Sequence, residues 1–364
     1  MDSPVEGEEG VRESYYSAEA TGKISEELAL FSYKELCFAF DHLYGLKQQH
    51  DIRNFDDLAI ATGARDVLTG TDARAIDEIL YYIIYQDLDD LHSRYVSPSY
   101  LSGEGADEEF WDSVVGEGLS GDAHARLWDK YLDCRDIYYP DGIVGYEEVE
   151  DTAYITFDEF YTARDSYDRK LENNPYDTIE IICYAMSQIL RDGSPVKNVV
   201  LDMSCNGGGQ AAWAIYTLAA FLGDVEISLE DPNTGARVTN IYRADTNLDH
   251  VFDEKDTLAG KDLNLYCLTS PVSFSGGNLV PCVMKNSNEV TIIGQQSGGG
   301  ACSVLYLTTA SGSIIQISSS VRMSYLKNGS FYDIDQGAEV DYTIRDLNHF
   351  YNREKLTEFI DGLF

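Results

Sequence analysis

Basic residues are scarce: 26 Lys and Arg stand against 63 Asp and Glu in 364 residues, a formal net charge of −37. Nucleic-acid binding needs clustered Lys/Arg to displace counterions from phosphates, so that class is excluded. An anionic membrane surface is disfavoured for the same reason. No run approaches the ~18–20 consecutive apolar residues of a spanning helix. Proline is sparse, at 8, while 44% of the chain is hydrophobic and 12% aromatic, which excludes wholesale disorder. The seven cysteines (Cys37, Cys134, Cys183, Cys205, Cys267, Cys282 and Cys302) form no CxxC pair. An odd, scattered set is neither a disulfide framework nor a structural zinc site; most stand in apolar runs and read as small buried hydrophobes. No metal and no cofactor is expected. The start, MDSPVEGEEGVRE, has neither the basic nor the apolar region of a signal peptide.

What is present is organised. Residues 1–24 read as a flexible acidic lead-in. A helical domain follows over 25–95: SEELALFSYKELCFAFDHLYGL repeats apolar residues three and four apart behind Ser25 as N-cap, and TDARAIDEILYYIIYQDL does so behind Thr71. Residues 96–150 are Gly-, Ser- and acid-rich and read as a linker or insert with a short helix. From 151 to 364, short β-branched runs such as KNVVLDM and EVTIIG alternate with helical ones, which predicts an α/β core with a largely parallel sheet. The tail from His349 reads as one closing helix.

Three segments could carry chemistry. In VVLDMSCNGGGQAAWAIY a strand ends at Asp202 and Gly207, Gly208 and Gly209 lead into a helix, which leaves N–H groups free for an anion or oxyanion. It lacks the GK[ST] of a phosphate loop, and the plainer alternative is a tight turn. In LYCLTSPVSFSGGNLV a strand ends at Thr269 and a helix starts near Ser275 or Gly276, a setting that exposes a serine nucleophile beside the Gly276 N–H. Alternatively Ser270, Ser273 and Ser275 are loop and capping residues. In QDLDDLHSRY, His92 follows a long helix, but His250 is equally acid-flanked, so composition alone does not select it.

The ordered set LDDLHS, LDMSCNGGG, TSPVSFSGGN, IIGQQSGGG and DIDQGAEVDY resembles the S41 serine peptidases, the C-terminal-processing and tricorn-core-like proteases, over residues 80–95 and most of 145–345. The resemblance implies an α/β, ClpP/crotonase-like core with an N-terminal helical domain; residues 96–150 are too short and acidic for the PDZ domain that many members carry. It puts the nucleophile at Ser275 and the oxyanion donors at Gly208, Gly209 and Gly276. The lysine base of the processing branch falls on Gly300, and no lysine occurs between Lys285 and Lys327. The histidine branch fits instead, with Asp89-Asp90-Leu91-His92-Ser93 supplying His92 as base. Its carboxylate falls on Ile334, flanked by Asp333 and Asp335, near Gly337-Ala338-Glu339-Val340-Asp341, where Val340 replaces the family's proline. The resemblance thus implies a serine endopeptidase acting on unfolded or extended polypeptides, exported with a leader removed, although a cytoplasmic location and a homo-oligomer stay open. Two rivals are a non-catalytic S41-like binder of peptides or apolar ligands, and a crotonase-type acyl-CoA enzyme, which would need a basic rim for the CoA phosphates.

Overall fold

The computed structural model describes residues 21–102, 118–163 and 171–363. They fall into two compact units. One comprises the described part of Met1–Ala123 with Asp231–Gly235 and Cys302–Arg322; the other comprises His124–Glu230, Ala236–Ala301 and Met323–Phe364.

The first unit is built on the helices Glu26–Leu43, Phe55–Ala61, Ala64–Leu68 and Ala73–Tyr82. In the first of these the apolar spacing buries Ala29, Tyr33, Leu36 and Phe40 on one stripe, and Ser25 caps it by accepting the Leu28 N–H. The cap of the helix Ala73–Tyr82 is Asp72 rather than Thr71, because its carboxylate reaches the N–H groups of both Arg74 and Ala75. Nor does that helix run on regularly: Ile83–Leu88 winds as a π-helix and stops at Asp89, at φ +44. Strands Arg94–Ser97 and Cys302–Thr308 pair antiparallel with Ile314–Ser324, whose Ile315 and Ile317 join the helical core.

The second unit holds a six-stranded sheet in the order Tyr342–Thr343, Val290–Gly294, Asn264–Thr269, Asn198–Asp202, Thr152–Thr156, Tyr146–Val149. Neighbours are parallel except the last pair. Alternate residues enter two separate cores. Ala153, Val199, Leu265 and Ile292 face the helices Thr178–Ile189, Ala211–Leu222 and Gly276–Ser287. Tyr154, Val200, Tyr266 and Ile293 pack with Tyr131, Phe350 and Leu356. A sheet covered on both faces needs apolar residues at every position, which is why KNVVLDM shows no alternation.

Two further readings require correction. The stretch 96–150, of which 103–117 lies outside the described residues, carries a 19-residue helix, Gly118–Asp136, rather than a short one. Its Gly, Asp and Lys residues dilute the periodic signal, and Tyr131 is the large apolar side chain buried from it, with Trp128 and Leu132 packed alongside and Arg135 buried near its end. The tail is two helices, Asn348–Tyr351 and Arg353–Asp361, because Asn352 leaves the helical conformation to cap the second by accepting the Lys355 N–H.

Candidate active site

The parallel strands Asn198–Asp202 and Asn264–Thr269 pair Asp202 with Leu268, so their following loops emerge side by side at one edge of the sheet. Each loop then enters a helix. The loops are braced to each other: Met203 N–H donates to Leu268 C=O at 2.8 Å, Ser273 Oγ to Met203 C=O at 2.7 Å, and Ser270 Oγ to Ser204 C=O. Ser270 and Ser273 are therefore buried structural hydroxyls. Sequence reasoning missed Asn206. It is fully buried, its C=O accepts the Phe274 N–H at 3.1 Å, its Nδ2 donates to Phe157 C=O at 3.0 Å, and its Oδ1 accepts the Gly208 N–H at 2.9 Å. Only its place before three glycines could have flagged it.

Ser275 stands immediately before the helix Gly276–Ser287 with φ +56 and ψ −118. A side-chain-bearing residue there is strained, and such strain persists where surrounding contacts hold it. Here the Ser275 N–H donates to Gly299 C=O at 2.9 Å, while its own C=O accepts the N–H groups of Asn278 and Leu279 at 3.0 and 2.9 Å. Gly208 lies so close that a Cβ on it would meet Ser275 Cβ at 2.7 Å and the Gly276 nitrogen at 3.0 Å. Among the described residues, the N–H groups of Gly209 and Gly276 make no hydrogen bond, whereas that of Gly208 is taken by Asn206.

The opposite wall is the glycine run 298–300 with the segment 333–335. A Cβ on Gly299 would lie 2.1 Å from Asp335 C=O, and one on Gly300 would enter the Phe274 ring at 2.7 Å. These glycines serve close backbone packing. Ser297, just before the run, is buried, donating to Asn278 Oδ1 and accepting the Ala338 N–H, both at 2.7 Å. Asp335 is half-buried and accepts the Ala301 N–H at 3.0 Å; exposed Asp333 accepts the Asp335 N–H at 2.9 Å. The second unit thus gathers Ser275, Gly208, Gly209, Gly276 and Asp335 around one pair of loops.

His92 belongs to the first unit and is 7% exposed. Its N–H donates to Asp90 Oδ1 at 3.0 Å and its C=O accepts from Gln316 Nε2 at 2.5 Å. Asp90 also accepts the Ser93 hydroxyl at 2.6 Å, and Asp89 accepts the N–H and hydroxyl of Ser120 at 2.9 and 3.0 Å. Asp90 thus shapes its own turn, and Asp89 holds the start of the helix Gly118–Asp136. A second histidine, His124, packs edge-on against Phe274, the neighbour of Ser275, with ring centres 5.8 Å apart, and burial lowers its imidazole pKa below the ordinary 6.5. No sequence signal distinguished it.

The model of Peptidase family S41 matches residues 151–344, more than half of the chain. No curated protein matches it. Among solved structures, a Parabacteroides merdae protein proposed to be a peptidase is 16% identical, with 92% of this chain and 96% of that one covered at a TM-score of 0.59. A lipoprotein from Streptococcus agalactiae is 14% identical, with 94% and 98% covered at 0.54. The photosystem II D1 C-terminal processing protease is 19% identical, but the match takes in 53% of this chain and 42% of that one, at 0.40. The mixed α/β architecture is that of a ClpP/crotonase-like core with a helical N-terminal region. The loops around Ser275 lie within the matched residues, and the chain belongs to peptidase family S41.

Proposed function

We propose that this chain is a serine endopeptidase that hydrolyses unfolded or extended polypeptides, with Ser275 as nucleophile and His92 as general base. The observation that carries it is Ser275 itself, held at φ +56 at a helix start beside two N–H groups, of Gly209 and Gly276, that have no partner among the described residues. Ser275 Oγ attacks the scissile carbonyl, His92 takes the hydroxyl proton, and the oxyanion forms against those two N–H groups. Collapse returns the proton to the leaving amine, and water then hydrolyses the acyl-enzyme by the same route. Gly208 contributes by lacking a Cβ, since its N–H is already engaged. Asp335 or Asp333 orients the imidazole, and the tie from Asp335 to the Ala301 backbone favours Asp335. A lysine base has no support: Lys285 is paired with Asp341 at 2.6 Å. The lipoprotein among the structural relatives favours an extracellular or envelope location.

The test is labelling by a fluorophosphonate together with turnover of unfolded casein, in wild type, Ser275→Ala, His92→Ala and His124→Ala. Both signals should vanish in the first two variants and survive in the third. Loss in His124→Ala with retention in His92→Ala would move the base to His124. Folded wild type that neither labels nor cleaves would leave a non-catalytic binder.

A further inference from the structure

The connection between the strands Ala236–Tyr242 and Asn264–Thr269 has a spacing that peptidase chemistry does not use. Residues 245–256, DTNLDHVFDEKD, place side-chain oxygens at positions one, three, five, nine and twelve (Asp245, Asn247, Asp249, Asp253 and Asp256), with the Val251 carbonyl at seven. That is the ligand order of a twelve-residue EF-hand-type calcium loop, whose sixth residue is ordinarily glycine because the chain turns sharply there. Position six here is His250, which nevertheless adopts φ +66, and Leu248 at position four adopts +60.

The loop is folded around its own oxygens. Asn247 Oδ1 accepts the Asp249 N–H at 2.9 Å, Asp249 Oδ1 the Val251 N–H at 2.8 Å, and Asp253 Oδ1 the Lys255 N–H at 2.8 Å. Asp256 accepts the N–H groups of Asp253, Thr246 and Asn247 at 3.0, 2.9 and 3.2 Å. Asp256 Oδ1 also accepts the Thr246 hydroxyl at 3.4 Å and is fully engaged, but Asp256 Oδ2 and the bonded oxygens of Asn247, Asp249 and Asp253 accept one bond each, so each keeps a lone pair for a cation.

A separate observation points to the ligand. Asp245 is 3% exposed, and its Oδ1 has no hydrogen-bond partner among the described residues. Its other oxygen accepts the His250 N–H across the loop at 2.9 Å, so the carboxylate lies within the turn. A buried carboxylate oxygen without a partner is costly, and a cation is the partner that its charge calls for. Of the neighbouring cations, Lys255 pairs with Asp253 at 3.4 Å and Arg243 with Asp224. Among the described residues no three His, Cys, Asp or Glu side chains already form a metal cluster. The four aspartates of this loop are therefore not yet gathered about one point, and exposed Asp249 would swing in on binding.

We propose that residues 245–256 bind one calcium ion through Asp245, Asn247, Asp249, the Val251 carbonyl and Asp256, with Asp253 acting through a water. A flexible loop of six or more oxygens suits calcium over magnesium, which demands near-ideal octahedral geometry and keeps its waters. With aspartate at position twelve and no glycine at six, affinity belongs to the weak class of about 10⁻⁴–10⁻³ M.

The full chain, freed of metal by chelation, is titrated calorimetrically with calcium chloride and separately with magnesium chloride, and its melting is followed in each at equal ionic strength. One calcium ion per chain should bind, magnesium should compete weakly, and calcium alone should raise the melting temperature. Asp249→Ala and the milder Asp249→Asn should each weaken binding at least about tenfold, while His250→Gly should tighten it and Glu254→Ala should change nothing. Absence of saturable calcium binding up to about 10 mM, or binding that is unchanged in both Asp249 variants, overturns the proposal.

Discussion

Asn206 and Gly208 show how single residues set the position of Ser275. Asn206 ties three strands of loop together through its backbone carbonyl and both side-chain polar atoms. Gly208, at φ +104, lets that bundle close against the serine. Alanine at 208 would need both a left-handed conformation and space that Ser275 Cβ and the Gly276 nitrogen occupy, so the serine loop must shift. The Gly208→Ala protein should fold with a lowered melting temperature, and its fluorophosphonate labelling rate should fall about 10²-fold, the scale of a lost oxyanion donor. Labelling at the wild-type rate would show that the close approach of Gly208 is irrelevant to serine reactivity. The serine and the glycine runs were legible because a strand, small residues and a helix follow one another in so few positions. Asn206 was not, since its importance lies in three partners at Phe157, Gly208 and Phe274 that no local pattern reveals. The calcium-type loop escaped for a related reason: its diagnostic glycine is replaced by His250, and only the backbone angle betrays the turn.

At the scale of elements, the parallel sheet was legible from β-branched runs, and its helices from their spacing. The C-terminal tail was not, because the break at Asn352 exists to deliver Arg353 inward. Arg353 donates to Asp202 Oδ2 at 2.8 Å, to Thr156 Oγ1 at 2.9 Å, to Glu147 Oε1 at 3.1 Å and to Phe350 C=O at 2.9 Å, and lies over the Tyr154 ring at 4.6 Å. Asp202, with a side chain 1% exposed, ends the strand that leads to the glycine loop. The helix Arg353–Asp361 thus pins the sheet edge from which that loop departs. Arg353→Met keeps much of the volume but leaves Asp202 charged and buried, which should cost about 3–5 kcal/mol in urea unfolding. A loss below about 1 kcal/mol would mean that Asp202 finds another partner or a proton, and that the pair does not anchor the loop. Strand pairing over long separations was equally hidden: Tyr95 faces Ile315, more than two hundred residues away, through backbone bonds that carry no compositional trace.

For the whole molecule the governing quantity is the charge of −37. Acidic side chains outnumber basic ones by more than two to one, so the ion pairs that do form, such as Arg135 with Asp158 at 2.7 Å and Arg191 with Glu148 at 2.6 Å, neutralise only part of the excess. Unpaired carboxylates repel one another more strongly in the folded chain than in the expanded one, and this repulsion is screened beyond a Debye length of about 10 Å at 0.1 M salt. Exposed ion pairs are weakened by the same salt, but each contributes only about 0–1 kcal/mol. Repulsion therefore dominates the salt response. Raising sodium chloride from about 20 to about 300 mM should lift the melting temperature by about 1–4 °C, whereas a chain held mainly by surface pairs would lose stability. The same titration in the Asp249→Ala variant should give an equal rise, because sodium acts on the whole field. A rise from calcium at matched ionic strength should appear in wild type alone. A melting temperature that falls with sodium chloride would show that paired charges, not the acidic excess, govern this molecule's stability.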